Sequence, residues 1–393
     1  MSSGEDAIKH LLARNVEEVI DRAHLEKALL SGKKLRVKLG IDPTSPDLHL
    51  GHAVVLRKLK EFQDLGHRAV LIIGDFTARI GDPSGKSEAR KPLSEKEIKE
   101  NMRKYLDQAG KILSIRDAEI RYNGEWFGKE KADDLLKLAA AGTMQQMLRR
   151  EDFKKRVAQG GDVTVTELLY PLFQGYDSVK VEADVELGGN DQLFNLLAGR
   201  KVQRRFGVEE QDILTVPLLE GTDGEKKMSK SVGNYIGLTD EPADMFGKIM
   251  SVPDKLVHKY FMLCTDLEES VINKLEKELP PRGLKARLGS EVVRLYHGEK
   301  AAKAAEDNFN RMFSKKEMPA DLPELKLRVK ELSALEMVLA SGTAKSKSEA
   351  RRLIEQGGFE IDGAVKKDAG EILSFRGGEV ARMGKKKFFR IVL

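Results

Sequence analysis

The run "AVLIIGD", residues 69–75, is apolar without interruption until it closes on an acidic residue. A strand with one wet face alternates; an unbroken apolar run belongs to a strand covered on both faces, as in a parallel sheet flanked by helices. Upstream, "LRVKLGID" (35–42) reads as a second strand ending in Asp-Pro. Between them, "GHAVVLRKLKEFQDLGH" (51–67) has helical apolar spacing and stops at a glycine. Strand, helix and strand in that order form a right-handed parallel unit. "DILTVPLL" (212–219) supplies a further buried strand. The expected class is therefore α/β around a parallel sheet.

The remaining chain divides around this sheet. The first thirty-odd residues read as helical, and about 87–185 reads as a mostly helical insertion between the halves of the sheet. Residues 240–325 are charged and helical, with breaks at Pro253 and "PPRG" (280–283). "KKEMPADLPELK" (315–326) reads as a linker, and 331–393 as short helices followed by strands with turn signals. The expected domains are 1–235, 236–320 and 331–393, the last a small α+β module. A length of 393 residues accommodates them. The single cysteine, Cys264, excludes an internal disulfide and fits a reducing cytosol. With no paired His/Cys spacing, a zinc site is not expected. No apolar run approaches a membrane span, and the N-terminus lacks the basic-then-apolar pattern of a secretory signal. From residue 341 onward there are 12 Lys/Arg against 7 Asp/Glu, which accounts for the whole net charge of +5. A basic end on a balanced body suits a polyanionic partner.

Several short stretches carry polar groups in chemically suggestive patterns. "EKKMSKS" (225–231) places Lys227 and Lys230 around Met228, between Gly224 and Gly233. Alone it is either a solvated surface or a loop that closes over an anion. "DPTSPDLHLGH" (42–52) puts His49 and His52 at a helix start, where unpaired amides and partial positive charge suit phosphate. A helix cap or a metal pair are the other readings of two such histidines. Gly51, without a side chain, would let a flat base lie on the backbone. "IGDPSGKS" (80–87) resembles a P-loop, but Ile80 stands where that pattern needs glycine. No G-x-G-x-x-G follows the early strands either. Asp82 is a candidate for a ligand ammonium or a turn cap. "YPLFQGYD" (170–177) sets Tyr170, Gln174 and Asp177 on one helical face. "ELGGNDQLFN" (186–195) adds Gly189, Asp191 and Gln192, suited to sugar hydroxyls or a carboxylate. In "AKSKSEARR" (344–352), Ser346 followed three residues later by Glu349 marks a helix start, so this second Lys-Ser run begins a helix and is not another such loop.

His-x-Gly-His after the first strand, with Lys-Met-Ser-Lys-Ser after a late one, resembles the paired signature of class I aminoacyl-tRNA synthetases. Within that class, "GIDPT", "GDPSGK", "YxxxQxxD" and "GGNDQ" together resemble the tyrosyl-tRNA synthetases. The C-terminal "SKSEARRLIEQGGFEIDG" is similar to the S4-type RNA-binding module. The resemblance covers most of the chain and is weakest over 240–325. It implies a Rossmann-like catalytic domain with a helical insertion, a helical domain on the anticodon side of the tRNA, and an S4-like domain. It also implies a cytoplasmic homodimer.

The implied reaction has two steps. Tyrosine attacks the α-phosphate of ATP, which enters with Mg2+, and the resulting tyrosyl-adenylate passes its acyl group to the 3′ end of tRNA(Tyr). By the same resemblance, His49, His52, Lys227 and Lys230 are catalytic, and the lysines meet the pyrophosphate charge. Pro43, Thr44, Gly51, Gly189, Asp191, Met228, Ser229 and Ser231 would line the ATP site. Asp177 would face the phenol; Asp82, Tyr170 and Gln174 would hold the α-amino group. Asp42 and Gln192 complete the tyrosine site, Gln192 near the carboxylate. Lys345, Lys347, Arg351 and Arg352 would meet an RNA backbone, and no protein-held metal is expected. There is one departure: Lys38 stands where many bacterial tyrosyl enzymes carry a tyrosine that shares the substrate phenol. The rival readings are a tryptophanyl enzyme and a non-catalytic RNA-binding regulator.

Overall fold

The computed structural model describes residues 4–84, 94–314, 322–327, 329–344, 346–384 and 387–393. The chain forms two compact units, Met1–Phe309 and Asn310–Leu393. Among the described residues of the first unit, six strands form one sheet: β1 (Glu18–Ile20), β2 (Arg36–Ile41), β3 (Arg68–Ile73), β4 (Glu119–Tyr122), β5 (Val185–Gly189) and β6 (Asp212–Val216). Their order is β1-β6-β5-β2-β3-β4, parallel throughout except for antiparallel β1 at one edge. The chain builds outward from β2 through β3 to β4, then returns to lay β5 and β6 on the other side. The junction of β2 and β5 is thus the point where strand order reverses, and the crevice beyond its carboxyl ends is where open α/β sheets bind ligands.

Strand β3 accounts for its own apolar run. Ala69, Leu71 and Ile73 point into one core, Val70 and Ile72 into the other. The Val, Leu and Ile side chains each contribute ~1.5–3 kcal/mol when fully buried, so the run holds helices to both faces. On the first face lies α1 (Leu50–Asp64), which agrees with the helix expected at 51–67, together with α2 (Glu95–Ala109). On the second lies α3 (Val165–Lys180), started by Thr164, whose side chain accepts from the Glu167 amide. Pro171 sits inside α3 without ending it. Helix α4 (Leu193–Phe206) packs along α3.

Strand β5, which ends in two glycines, was not read as a strand, and two shorter strands were not expected either. Residues 18–20, within the stretch read as helical, are β1, and residues 119–122, within the insertion read as mostly helical, are β4. Both are three or four residues long and only half-buried or exposed, too short and too wet to leave a periodic apolar pattern. Helices α5 (Pro242–Met250) and α6 (Pro281–His297) bury Met245, Phe246, Ile249, Leu288 and Val292 in the same core as Leu39 and Leu71 of the sheet. The core therefore continues across residue 235.

The second unit contains β7 (Glu324–Lys326), β8 (Glu331–Ser333), α7 (Ala334–Ala340), α8 (Lys347–Glu355), β9 (Phe359–Ile361), β10 (Ala364–Val365), β11 (Ile372–Ser374), β12 (Val380–Met383) and β13 (Lys387–Val392). Five of these strands form a sheet in the order β10-β9-β12-β13-β7, and β8 pairs with β11. Residues 324–326, expected in the linker, are instead β7, which pairs in parallel with β13; the rest of that linker up to residue 321 lies outside the described residues. The pairing partner is far away in sequence, which is why a three-residue strand beside two prolines read as linker.

Candidate active site

The phosphate-suited helix start and the lysine loop, far apart in the chain, are joined by main-chain bonds. The Leu50 amide donates to the Ile236 carbonyl at 3.0 Å, and the Leu238 amide to the Leu48 carbonyl at 2.9 Å. This isolated antiparallel bridge places His49 opposite Gly237. Helix α2 fixes the Pro-rich turn before the helix. Gln108 accepts from the Leu48 amide at 2.6 Å and donates to the Pro46 carbonyl at 3.0 Å, while Asn101 donates to the Pro43 carbonyl at 2.9 Å. Thr44 closes the turn by donating its amide to the Asp42 carbonyl at 2.8 Å.

His52 Nδ1 accepts from the His49 amide at 3.2 Å, which leaves the ring proton on Nε2, free to donate. Among the described residues, His49 Nδ1 is buried without a hydrogen-bond partner. The rings lie 3.9 Å apart between centroids. Burial, with Lys227 and Lys230 adding to it, pushes His52 down to about 3, and His49 falls further for the same reason. Both imidazoles are therefore neutral donors near neutral pH. Gly51 packs tightly here: a Cβ would stand 3.0 Å from the His49 ring and 3.7 Å from Met228, so the ring would have to give way.

Gly224 and Gly233, both in the left-handed region at φ 77° and 78°, bound the loop. Met228 is buried in the core and ties the loop down, its amide donating to the Leu219 carbonyl at 2.8 Å. Ser229 receives Asn234 Oδ1 on its amide at 2.8 Å, and its hydroxyl meets that of Ser231 at 2.9 Å. Lys227 pairs with Asp191. Lys230 donates to Ser45 Oγ at 3.0 Å and to the Asp47 carbonyl, with the Asp47 carboxylate at 3.9 Å. Tyr235 was not foreseen as a site residue. Its ring lies 6.2 Å from that of His49 and 5.8 Å from the Lys230 ammonium, so it touches both signatures.

The expected tyrosine-site residues assemble at the β2–β5 junction. Tyr170 donates to Asp42 Oδ2 at 2.8 Å, and Thr77 to Asp42 Oδ1 at 2.7 Å. Asp82 accepts from Gln192 at 2.8 Å and from the Ser84 amide at 3.0 Å; the rest of its motif, from Gly85, lies outside the described residues. Burial raises the Tyr170 phenol, and the charges of Asp42, Asp82 and Asp177 push it the same way. Asp177 is buried, accepting from Trp126 Nε1 at 3.0 Å and from Asn123 Nδ2 at 3.3 Å. Burial pushes its carboxyl up to about 7, against the opposing pull of Lys38.

Sequence reading missed Asn123 and Trp126, although Trp126 is the chain's sole tryptophan. It also missed Asn195 and Arg150, which continue the Asp82 network. Asn195 meets Gln192 at 3.0 Å, and Arg150 meets Asn195 at 2.8 Å and Ser84 at 2.9 Å. Lys38 does not stand free beside Asp177. Its ammonium is bonded to Glu186, Ser178 and the Gln174 carbonyl, each at 2.8 Å. In the second unit, Ser346 caps α8 by accepting from the Glu349 amide at 3.2 Å. Lys347, Arg351 and Arg352 are exposed on that helix while Ala350 and Ile354 are buried. Lys345 lies outside the described residues.

A nucleotide-suited helix start stapled to a lysine loop, at the switch point of a parallel sheet and beside an acidic pocket, defines a class I aminoacyl-tRNA synthetase. Residues 30–314 match the family described as tRNA synthetases class I (W and Y), and residues 335–380 match the S4 domain. The chain belongs to that synthetase family. It is 49% identical over 392 residues to a tyrosine–tRNA ligase of Thermotoga maritima, covering 98% of this chain and 97% of that one. It is 46% identical over 398 residues to a tyrosine–tRNA ligase of Dehalococcoides mccartyi, covering the whole of both. The solved mitochondrial tyrosyl-tRNA synthetase of Aspergillus nidulans, C-terminally truncated, superposes with a TM-score of 0.67 at 23% identity, over 80% of this chain and 95% of that one.

Proposed function

We infer that the chain is a tyrosine–tRNA ligase, and the observation that carries the amino-acid assignment is the buried acceptor Asp177. Trp126 and Asn123 occupy one hydrogen bond on each of its oxygens, leaving lone pairs for a phenol hydroxyl. A substrate without that hydroxyl leaves a buried acceptor unpaired, at ~1–3 kcal/mol. Asp42, bonded to Tyr170, and Asp82, bonded to Gln192, support an ammonium site in the same crevice. Asp82, Tyr170 and Gln174 hold the α-amino group in this reading, and Gln192 lies near the carboxylate.

The reaction needs position and charge rather than a protein nucleophile. Tyrosine's carboxylate attacks the α-phosphorus of ATP, whose Mg2+ enters with it, and the P–O bond to pyrophosphate breaks. His52 donates Nε2–H, and His49 the N–H of its neutral imidazole, toward the phosphates at the start of α1. Lys227 and Lys230 leave Asp191 and Asp47 for the departing pyrophosphate, which exchanges a weak surface pairing for a stronger phosphate one. With the lysines engaged only as charge develops, the loop acts on rate rather than on tyrosine affinity. Asp191 and Gly189, at the end of β5, face the ribose. A hydroxyl of the tRNA's terminal ribose then attacks the adenylate carbonyl, releasing AMP.

The S4 unit supplies RNA affinity through Lys347, Arg351 and Arg352, and α5 and α6 lie toward the anticodon side. Pairing of two chains through the insertion is supported by apolar residues left open there: Leu136, Met144 and Val165 are 69%, 61% and 71% exposed. Among the described residues, no helix is long and apolar enough to cross a membrane, and the reading places the enzyme in the cytoplasm. The test is ATP–pyrophosphate exchange across amino acids without tRNA. Exchange should require tyrosine; exchange driven better by tryptophan overturns the assignment.

A further inference from the structure

We propose that the buried pair Lys38–Glu186 is a positioning device that fixes the side-chain amide of Gln174, so that its oxygen alone is presented to the substrate's ammonium. This rests on the tyrosine reading of the site and adds what makes that reading selective for an α-amino group.

Lys38 on β2 and Glu186 on β5 are directly opposite each other in the parallel register at the switch point. Both are 0% exposed. Every polar valence of the pair is filled. The three N–H groups of Lys38 meet Glu186 Oε1, Ser178 Oγ and the Gln174 carbonyl, each at 2.8 Å. Glu186 Oε1 also accepts from Gln174 Nε2 at 3.1 Å, and Oε2 accepts from Ser178 Oγ at 3.1 Å and from Gln211. Beside a buried ammonium, Glu186 is an acceptor only. The end of the Gln174 amide that touches it must therefore be the NH2, which turns Oε1 away from Glu186. An ammonium donates and never accepts, so an amide locked in this sense attracts it, and a flipped one would repel it. Gln174 also shares its helical face with Tyr170 and Asp177, two further groups of the amino-acid pocket. Lys38 meanwhile holds the helix turn itself, by bridging the carbonyl of Gln174 and the hydroxyl one turn later.

Replacing a buried ion pair with neutral groups of similar size is often neutral for stability, whereas removing one member leaves an uncompensated charge. What the pair supplies here is direction. A charge-balanced variant, Lys38→Met with Glu186→Gln, keeps the volume and releases the amide.

The experiment measures Kd for tyrosine, tyramine and 3-(4-hydroxyphenyl)propanoate, which lacks only the amino group. In the double variant, tyrosine and tyramine should bind about tenfold more weakly, the scale of one hydrogen bond to a charged group, while the desamino acid binds as before. Gln174→Ala in that background should add nothing further. Glu186→Asp keeps the charge pair and draws the carboxylate back from Gln174; it should show the same selective loss, severalfold, should the double variant not fold. Equal weakening of all three ligands, or a further independent loss on Gln174→Ala, would overturn the proposal. Failure of the unmodified protein to exchange pyrophosphate with tyrosine would instead take down the tyrosine reading itself, and the proposal with it.

Discussion

On the nucleotide side of the site, charge sits near the surface on partners it can exchange; on the amino-acid side, charge is buried among partners it cannot leave. The Lys227 side chain is 52% exposed and pairs with Asp191, an interaction worth ~0–1 kcal/mol. Breaking Lys38–Glu186 by removing one member costs about 3–5 kcal/mol. The first half can trade partners within a catalytic cycle. The second half is finished before substrate arrives, and its selectivity depends on that.

The two halves also titrate in opposite senses, which gives the largest expected effect. Asp177, raised to about 7 by burial, is protonated in the folded state where the unfolded chain is ionised. It therefore lowers stability as pH rises from about 4 to 7, at up to about 1.4 kcal/mol for each pH unit. His52, held down at about 3, and His49 below it bind protons only when unfolded, so they raise stability as pH rises toward 6.5. Because these slopes oppose, the signal is the difference between the wild type and Asp177→Asn in denaturant melts without ligand. That difference should grow in favour of Asn up to pH 7 and stay level above. A flat difference across the window would mean that Asp177 ionises as it would in water.

Next in size is the lysine loop. Lys230→Ala should lower the rate constant of adenylate formation about a hundredfold, near 2.7 kcal/mol, as for loss of one preorganised charge donor, with tyrosine Kd unchanged. A normal rate with weakened tyrosine binding would place Lys230 in the other half. Trp126→Phe sharpens the contrast from the amino-acid side. Without its indole donor, Asp177 should bind tyrosine about tenfold more weakly, while KM for ATP holds. Parallel losses for both substrates would mean that Trp126 supports the whole insertion. The smallest effect belongs to the second unit. Arg351→Gln with Arg352→Gln should flatten the salt dependence of tRNA binding by close to one unit of log–log slope for each phosphate no longer neutralised, with pyrophosphate exchange intact. An unchanged slope would remove α8 from the RNA surface.

Legibility in the sequence followed the same division. His49 and His52, and Lys227 with Lys230, each lie within a few residues of one another, and local spacing reveals them. Tyr170, Gln174 and Asp177 were legible as one helical face because α3 keeps their register despite Pro171. What the linear text hides is pairing at a distance. Lys38 meets Glu186 only because β5 returns to lie beside β2, and Trp126 reaches Asp177 from a separate helix of the insertion. Tyr235, adjacent to the loop, carried no pattern at all. Strands β1, β4 and β7 escaped because three or four residues hold too few alternations to register, and β5 because two of its five residues are glycines.

The parallel pairing of β7 with β13 bears on how the protein is made. The first strand of the second unit leaves the ribosome well before its only described neighbour in the sheet, and no hairpin can shelter it in the interval. Glu324–Lys326 must wait while α7, α8 and the intervening strands are synthesised, and the entropy of closing that span is lost in one late step. The catalytic unit does not wait for β13. Nascent chains should therefore acquire protease-resistant adenylate-forming structure before the RNA-binding unit closes, so a chain stalled short of β13 would activate tyrosine while gripping tRNA poorly.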